Sequence, residues 1–291
     1  MSETNLTTLN RIIHFPVIKM LIGIAAVVGS VALIEWGGRS LLDETQFPDE
    51  LKNLVIAVVE SVVAVYVYFT LFKIYEQRPI TELSRKLFFK HASRGFSMGF
   101  LLQTLFIFIL YLAGGYDVIA INPVSFLLPA FTSALSAGFV AEILIRGIAF
   151  RLTEESLGTL ISVLIFAVLF AIFHLNASGA TIFSVIATAL LAGLLLSSAY
   201  VLTRSLWFPI FLHFAWDFTE PGIYGAINPG NSVTESFIAS VVGGPVSLSG
   251  GEMGPQNSVQ SIITCLAASL FFLWIAKRRN NFVRPFWSRH A

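Results

Sequence analysis

Residues 126–150 read FLLPAFTSALSAGFVAEILIRGIAF. Apart from Glu142 and Arg146 the run carries no charged side chain, and it exceeds the roughly 20 apolar residues that a helix needs to cross a bilayer core. A segment in lipid must satisfy its own backbone hydrogen bonds, so the run predicts a transmembrane helix. The two charges inside it decide the next question, because an ionisable group in hydrocarbon is costly unless it is paired or hydrated, and such groups mark functional sites. Glu142 and Arg146 stand one turn apart on one helical face, where each can neutralise the other.

The rest of the chain follows the same pattern. Of its 291 residues, 56% are hydrophobic and 12% charged, a balance that cannot cover a water-soluble surface. Comparable apolar runs lie at 15–36, 54–75, 95–114, 157–174, 180–202, 206–218 and 259–276. Together with 126–150 they predict an all-α polytopic membrane protein of about eight transmembrane helices, the run at 206–218 being the shortest. Residues 1–125 hold helices without a chemistry-bearing motif, 126–276 hold the motifs, and 277–291 form a basic tail, all within one integrated membrane domain. The first run, flanked by Arg11 and Lys19 and lacking a small-residue cleavage site, is expected to be a retained signal anchor.

Net charge is only +1, which gives no reason to expect a nucleic-acid partner. The basic residues are instead segregated. Arg78, Arg85, Lys86, Lys90 and Arg94 cluster between the second and third runs, and Lys277, Arg278 and Arg279 follow the last one. Both stretches are expected in the cytoplasm, and an even number of crossings then puts both termini there, with the protein in a bacterial inner membrane. The loops at 37–53, 115–123 and 219–258 fall on the other face. The last is long and rich in Gly and Pro, as expected of a lid or entry rim beside a site. Cys265 has no partner for an intrachain disulfide and is read as a small core or lipid-facing residue.

Two more polar pairs recur at the i, i+4 interval: Phe170 with His174 in the fifth run, and His213 with Asp217 in the seventh. A carboxylate one turn from a histidine can orient the ring and set its tautomer. Three such pairs on three helices can converge in a bundle core. Other buried charges have simpler readings. Lys19 can extend its amine to the interface, Glu60 suits a helix–helix hydrogen bond, and His14, His91 and His290 sit at membrane edges.

The succession Ala141-Glu142-x-x-x-Arg146-Gly147, Phe170-x-x-x-His174 and Ser205-Leu206-Trp207 leading into His213-x-x-x-Asp217 resembles the three motifs of the CAAX prenyl protease and bacteriocin-processing (CPBP) family of intramembrane proteases. Gly250 to Pro255, reading GGEMGP, resembles a further segment common in bacterial members. The resemblance spans about residues 126–276. It implies an intramembrane endopeptidase in which the first of two adjacent glutamates activates a water, with a peptide or protein substrate in or near the membrane. Here that first position is Ala141. A methyl group takes no proton from water, so the chain as written is expected to be inert. Two origins fit: a natural pseudoprotease, or an active protease whose glutamate was replaced, the latter being preferred. Adjacent helical residues point about 100° apart, so Glu142, aligned with Arg146, does not simply take over.

Under the resemblance, a glutamate at position 141 would act with His174 as general base, His213 and Asp217 would stabilise the oxyanion or hold the water, and Glu142 with Arg146 would fix the helix face. No cofactor is required by that scheme. Zinc is the metal that His174, His213 and Asp217 would suit, although the helical His-Glu-x-x-His pattern of zinc peptidases is absent. Counting helical rise from a hairpin near Glu155 puts position 141 and His174 at matching heights, nearer the outer face. Two other classes stay open: a non-catalytic scaffold that binds a membrane or extracytoplasmic partner in the old cavity, which fits Ala141 directly, and a transporter, which would place paired charges at mid-depth but lacks the expected broken half-helices.

Overall fold

The computed structural model describes residues 15–175, 181–226 and 236–288; His14 and His290 lie outside them. Each of the eight apolar runs contains a helix. The helices are α1 (Pro16–Leu42), α2 (Asp49–Glu76), α3 (Phe88–Leu112), α4 (Val124–Leu157), α5 (Thr159–Leu175), α6 (Ile182–Thr203), α7 (Trp207–Phe218) and α8 (Val259–Arg278). Six of them are long and apolar enough to cross a membrane, so the chain is a polytopic helical membrane protein. The expected count of eight full spans is narrowed accordingly. At 1.5 Å per residue, α5 with 17 residues and α7 with 12 reach about 26 Å and about 18 Å, short of a core of about 30 Å.

α7 tolerates its shortness because it is an inner helix. Trp207, Phe208, Ile210, Leu212, Phe214, Ala215 and Trp216 are all buried, so protein rather than lipid surrounds its ends. Close approach to α3 requires Gly95 and Gly99, spaced as the small-x-x-x-small pattern of packed membrane helices. A Cβ at Gly95 would stand 2.3 Å from the Phe208 carbonyl oxygen, and one at Gly99 2.5 Å from that of Leu212.

The two ends of the bundle differ in chemistry. At one end the Tyr68 hydroxyl donates to Glu82 (2.6 Å), Arg78 pairs with Glu76 and Glu82 (2.7 Å each), Arg151 with Glu76 (3.0 Å), and Arg204 with Glu154 (2.5 Å). Lys19 reaches the same cluster, 3.7 Å from Glu76, and Arg204 and Asn281 tie the end of α6 to the chain after α8. In the linker between α2 and α3, burial alone would raise the Glu82 carboxyl, but hydrogen bonds from Arg78 and Tyr68 hold it below its ordinary value. Burial pulls the Arg204 guanidinium down, and the bond and charge of Glu154 more than reverse that.

The opposite end carries a departure from the purely helical expectation. Strand β1 (Tyr116–Ile121) pairs antiparallel with β2 (Ile238–Val242), Tyr116 opposite Val242 and Ile121 opposite Ile238. Stretches read as loops at 115–123 and within 219–258 thus form a two-stranded ribbon, favoured by the β-branched run Val118-Ile119. Among the residues singled out earlier, Glu60 on α2 accepts a hydrogen bond from Ser136 on α4 (2.8 Å), and Cys265 is fully buried in a core with Phe106, Leu196 and Trp216.

Candidate active site

The helix that carries Ala141, Glu142 and Arg146 is not a uniform α-helix. α4 opens with a 3-10 turn at Val124–Leu127, continues as α-helix over Leu128–Ser136, widens into π turns at Ala137–Ala141 and Ile143–Phe150, and closes with α-helical turns at Arg151–Leu157. Such widened turns are uncommon and recur at functional sites. Glu142 sits at the junction between the two π segments. Gly138, one turn before it, lets α7 approach, since a Cβ there would meet the Phe214 nitrogen at 3.0 Å and the Ile210 oxygen at 3.1 Å. Close packing at Gly138 is what brings the middle of α7, and therefore His213, level with Glu142.

The resulting geometry is a chain of polar contacts. Arg146 Nη1 donates to Glu142 Oε1 at 2.8 Å, both side chains being fully buried. The same Oε1 stands 2.9 Å from His213 Nδ1. His213 Nε2 in turn stands 3.3 Å from Asp217 Oδ2. Two of the pairs expected from their spacing are therefore formed, and they are joined into one line, Asp217 to His213 to Glu142 to Arg146, through a contact between α4 and α7 that local spacing cannot show. Exposure is graded along the line: 36% for the Asp217 side chain, 21% for His213 and none for Glu142. The line runs from an open mouth to a sealed end.

α5 contributes its pair differently. Phe170 lies under the Arg146 guanidinium, whose centre is 5.2 Å from the ring centroid, a cation–π contact that partly replaces the hydration Arg146 has lost. His174, one turn further on, has its Nε2 buried and without a hydrogen-bond partner. No hydrogen bond joins it to the other site residues among those described. Gly158, where φ is +81°, closes the hairpin between α4 and α5. Glu142 Oε2, Arg146 Nε and Arg146 Nη2 are also buried without partners, so the inner end of the line keeps polar atoms able to take a guest or a water.

The metal set His174, His213 and Asp217 does not fit this arrangement. Each nitrogen of His213 already faces a carboxylate, leaving no lone pair directed at a shared ion, and no three such ligands converge among the described residues.

Sequence reasoning missed the support beyond Asp217. Glu220, buried in the π turn Thr219–Ile223, accepts from the backbone N–H of Gln256 (3.0 Å), and Gln256 Oε1 accepts from the Trp216 indole (2.7 Å). Gly250 to Pro255 leads straight into that anchor; Gly250 has φ +76°, and a Cβ there would lie 1.7 Å from the Gly254 oxygen. The segment read as a lid or rim is thus fastened to the end of α7. The available signal was a second acid one helical turn beyond Asp217, in Glu220-Pro221.

Residues 123–219 match the family model described as type II CAAX prenyl endopeptidase Rce1-like. The matched segment covers about a third of the chain and contains α4 to α7 with every motif residue. It supports the CPBP resemblance. No curated protein and no solved structure gives a significant match to the chain.

Proposed function

We propose that the chain has the architecture of a CPBP intramembrane endopeptidase and that, with alanine at position 141, it hydrolyses nothing. The observation that carries this reading is the line from Asp217 through His213 to Glu142 and Arg146, laid between α4 and α7 with position 141 beside it on the widened helix. In the parent chemistry a carboxylate at position 141, with His174, takes a proton from water; the oxygen attacks the peptide carbonyl carbon, and the proton is passed to the leaving amine as the tetrahedral intermediate collapses. His213 serves the oxyanion from its outer face, because its longer contact, to the half-exposed Asp217, is the one a substrate carbonyl can displace. Glu142 holds the other ring nitrogen and is itself held by Arg146, which makes it a positioning residue for His213.

Placing glutamate at position 141 tests the roles. In that background His174→Ala abolishes turnover, His213→Ala lowers kcat about 100-fold to 1000-fold, as for the loss of one oxyanion donor, and Asp217→Ala lowers it through the orientation of the His213 ring that its carboxylate sets. Unchanged rates in all three variants refute the assignment.

A second reading is favoured by Ala141 itself: a scaffold that holds a membrane or extracytoplasmic partner in the cavity without cutting it. It expects no hydrolysis even in the Ala141→Glu variant. We place the basic end of the bundle in the cytoplasm and the β1–β2 ribbon on the outer side of a bacterial inner membrane, on the distribution of Lys and Arg.

A further inference from the structure

At the basic end, between α3, the end of α6 and α8, lies a cavity of about 560 Å3. Lys90 and Arg94 project from α3 and Arg279 from the turn after α8, all three exposed. Among the described residues no aspartate or glutamate lines the cavity. Arg204 closes one side with its charge already engaged by Glu154, whereas Lys90, Arg94 and Arg279 take part in no ion pair among the described residues. His91, only 8% exposed, lines the same cavity with Nδ1 lacking any hydrogen-bond partner. Beside the polar Thr203 and Asn281, Met98, Phe271 and Ile275 give the wall an apolar stretch, and Phe271 on α8 is 54% exposed.

Three like charges around one hollow repel one another, and an unpartnered imidazole beside them adds a polar atom in need of a bond. An anion relieves both. A free anion would leave the apolar wall unused, but a phospholipid uses it: the phosphate sits among the cations at headgroup level while an acyl chain runs down Phe271 and Ile275 into the bilayer. Basic pockets between membrane helices bind anionic headgroups in this way. We propose that this cavity is a binding site for an anionic phospholipid, its phosphate held by Lys90, Arg94 and Arg279 with His91 as a hydrogen-bond partner. The site lies at the opposite end of α7 from Asp217 and is independent of the reading of the catalytic line.

The test uses the full chain in detergent micelles, titrated with dioleoylphosphatidylglycerol, with dioleoylphosphatidylcholine and with inorganic phosphate. Retained lipid is read by native mass spectrometry and stabilisation by the thermal midpoint. Phosphatidylglycerol is expected to be retained at one per chain and to raise the midpoint, while phosphatidylcholine and inorganic phosphate leave it unchanged. Lys90→Gln, Arg94→Gln and Arg279→Gln each weaken retention about fivefold, and the triple variant by more than about tenfold. Arg278→Gln, next in sequence but turned onto the Trp274 ring at 4.2 Å, keeps wild-type retention. Should the triple variant fail to fold, the three single variants carry the comparison. Equal retention of phosphatidylcholine, equal stabilisation by inorganic phosphate, or an equal loss in Arg278→Gln overturns the proposal: the first shows an apolar groove, the second a free-anion site, the third a general surface attraction.

Discussion

His213 on α7 and Glu142 on α4 share a contact of 2.9 Å between Nδ1 and Oε1, and the same carboxylate oxygen accepts from Arg146 at 2.8 Å. Glu142 therefore joins two helices as well as neutralising a charge within one. Removing Glu142 leaves the fully buried Arg146 without a counter-charge, and removing Arg146 leaves Glu142 with only its contact to His213, each at a cost of about 3 to 5 kcal/mol. Glu142→Ala and Arg146→Ala are each expected to lower the thermal midpoint of the detergent-solubilised protein sharply, and the double variant less than the sum of the two. Strict additivity would show that the two do not pair and would free Glu142 to act as a base.

Gly99 sets how closely α7 approaches α3. Gly99→Ala forces a methyl to within 2.5 Å of the Leu212 oxygen, which must shift the helix that carries His213. The expected destabilisation is about 1 to 3 kcal/mol, read from thermal unfolding, whereas Gly29→Ala, where a Cβ meets nothing within 4 Å, should be neutral or slightly stabilising.

Glu82 gives the basic end a dependence on pH. Its folded carboxyl lies below the ordinary value of 4.5, so it binds protons less readily folded than unfolded. The stability it contributes is complete above the ordinary carboxylate range and is lost as pH falls through the lowered folded value. The midpoint difference between the wild-type chain and Glu82→Gln should be largest near neutrality and shrink below about pH 4; a gap that widens on acidification would contradict this.

Orientation can be read by cysteine labelling in a Cys265→Ser background. Residue 85 should label only from the cytoplasmic side and residue 119, exposed on β1, only from the other. Labelling of residue 119 from the cytoplasm would invert the bundle and with it the placement of the mouth at Asp217.

The i, i+4 pairs Glu142–Arg146 and His213–Asp217 were legible because helical periodicity is local: four residues of spacing fix a shared face. The joint between them was not, because it depends on how closely α7 packs on Gly138 and on the π turns that rotate Glu142, neither of which a pattern of apolar residues records. The same limit explains the segment 116–121, whose polar flanks and short length read as a loop until β2 supplied a partner. Arg151, Glu154 and Arg204 escaped notice for a related reason. Each looks like an ordinary charge at a helix end, and only the meeting of α4 with the end of α2 and the end of α6 gives them partners. The signal for an inner α7 was present in Gly95-x-x-x-Gly99, which implies a helix pressed against α3.

We propose that position 141 is a catalytic position occupied by alanine, and a single assay tests it. The chain as written and its Ala141→Glu variant, purified in the same detergent, are incubated with a fluorogenic peptide library tethered to lipid, and initial cleavage rates are compared. No cleavage above background is expected for Ala141, clear cleavage for Ala141→Glu, and a return to background when His174→Ala is added. Cleavage at equal rates by the Ala141 chain and its glutamate variant would contradict it.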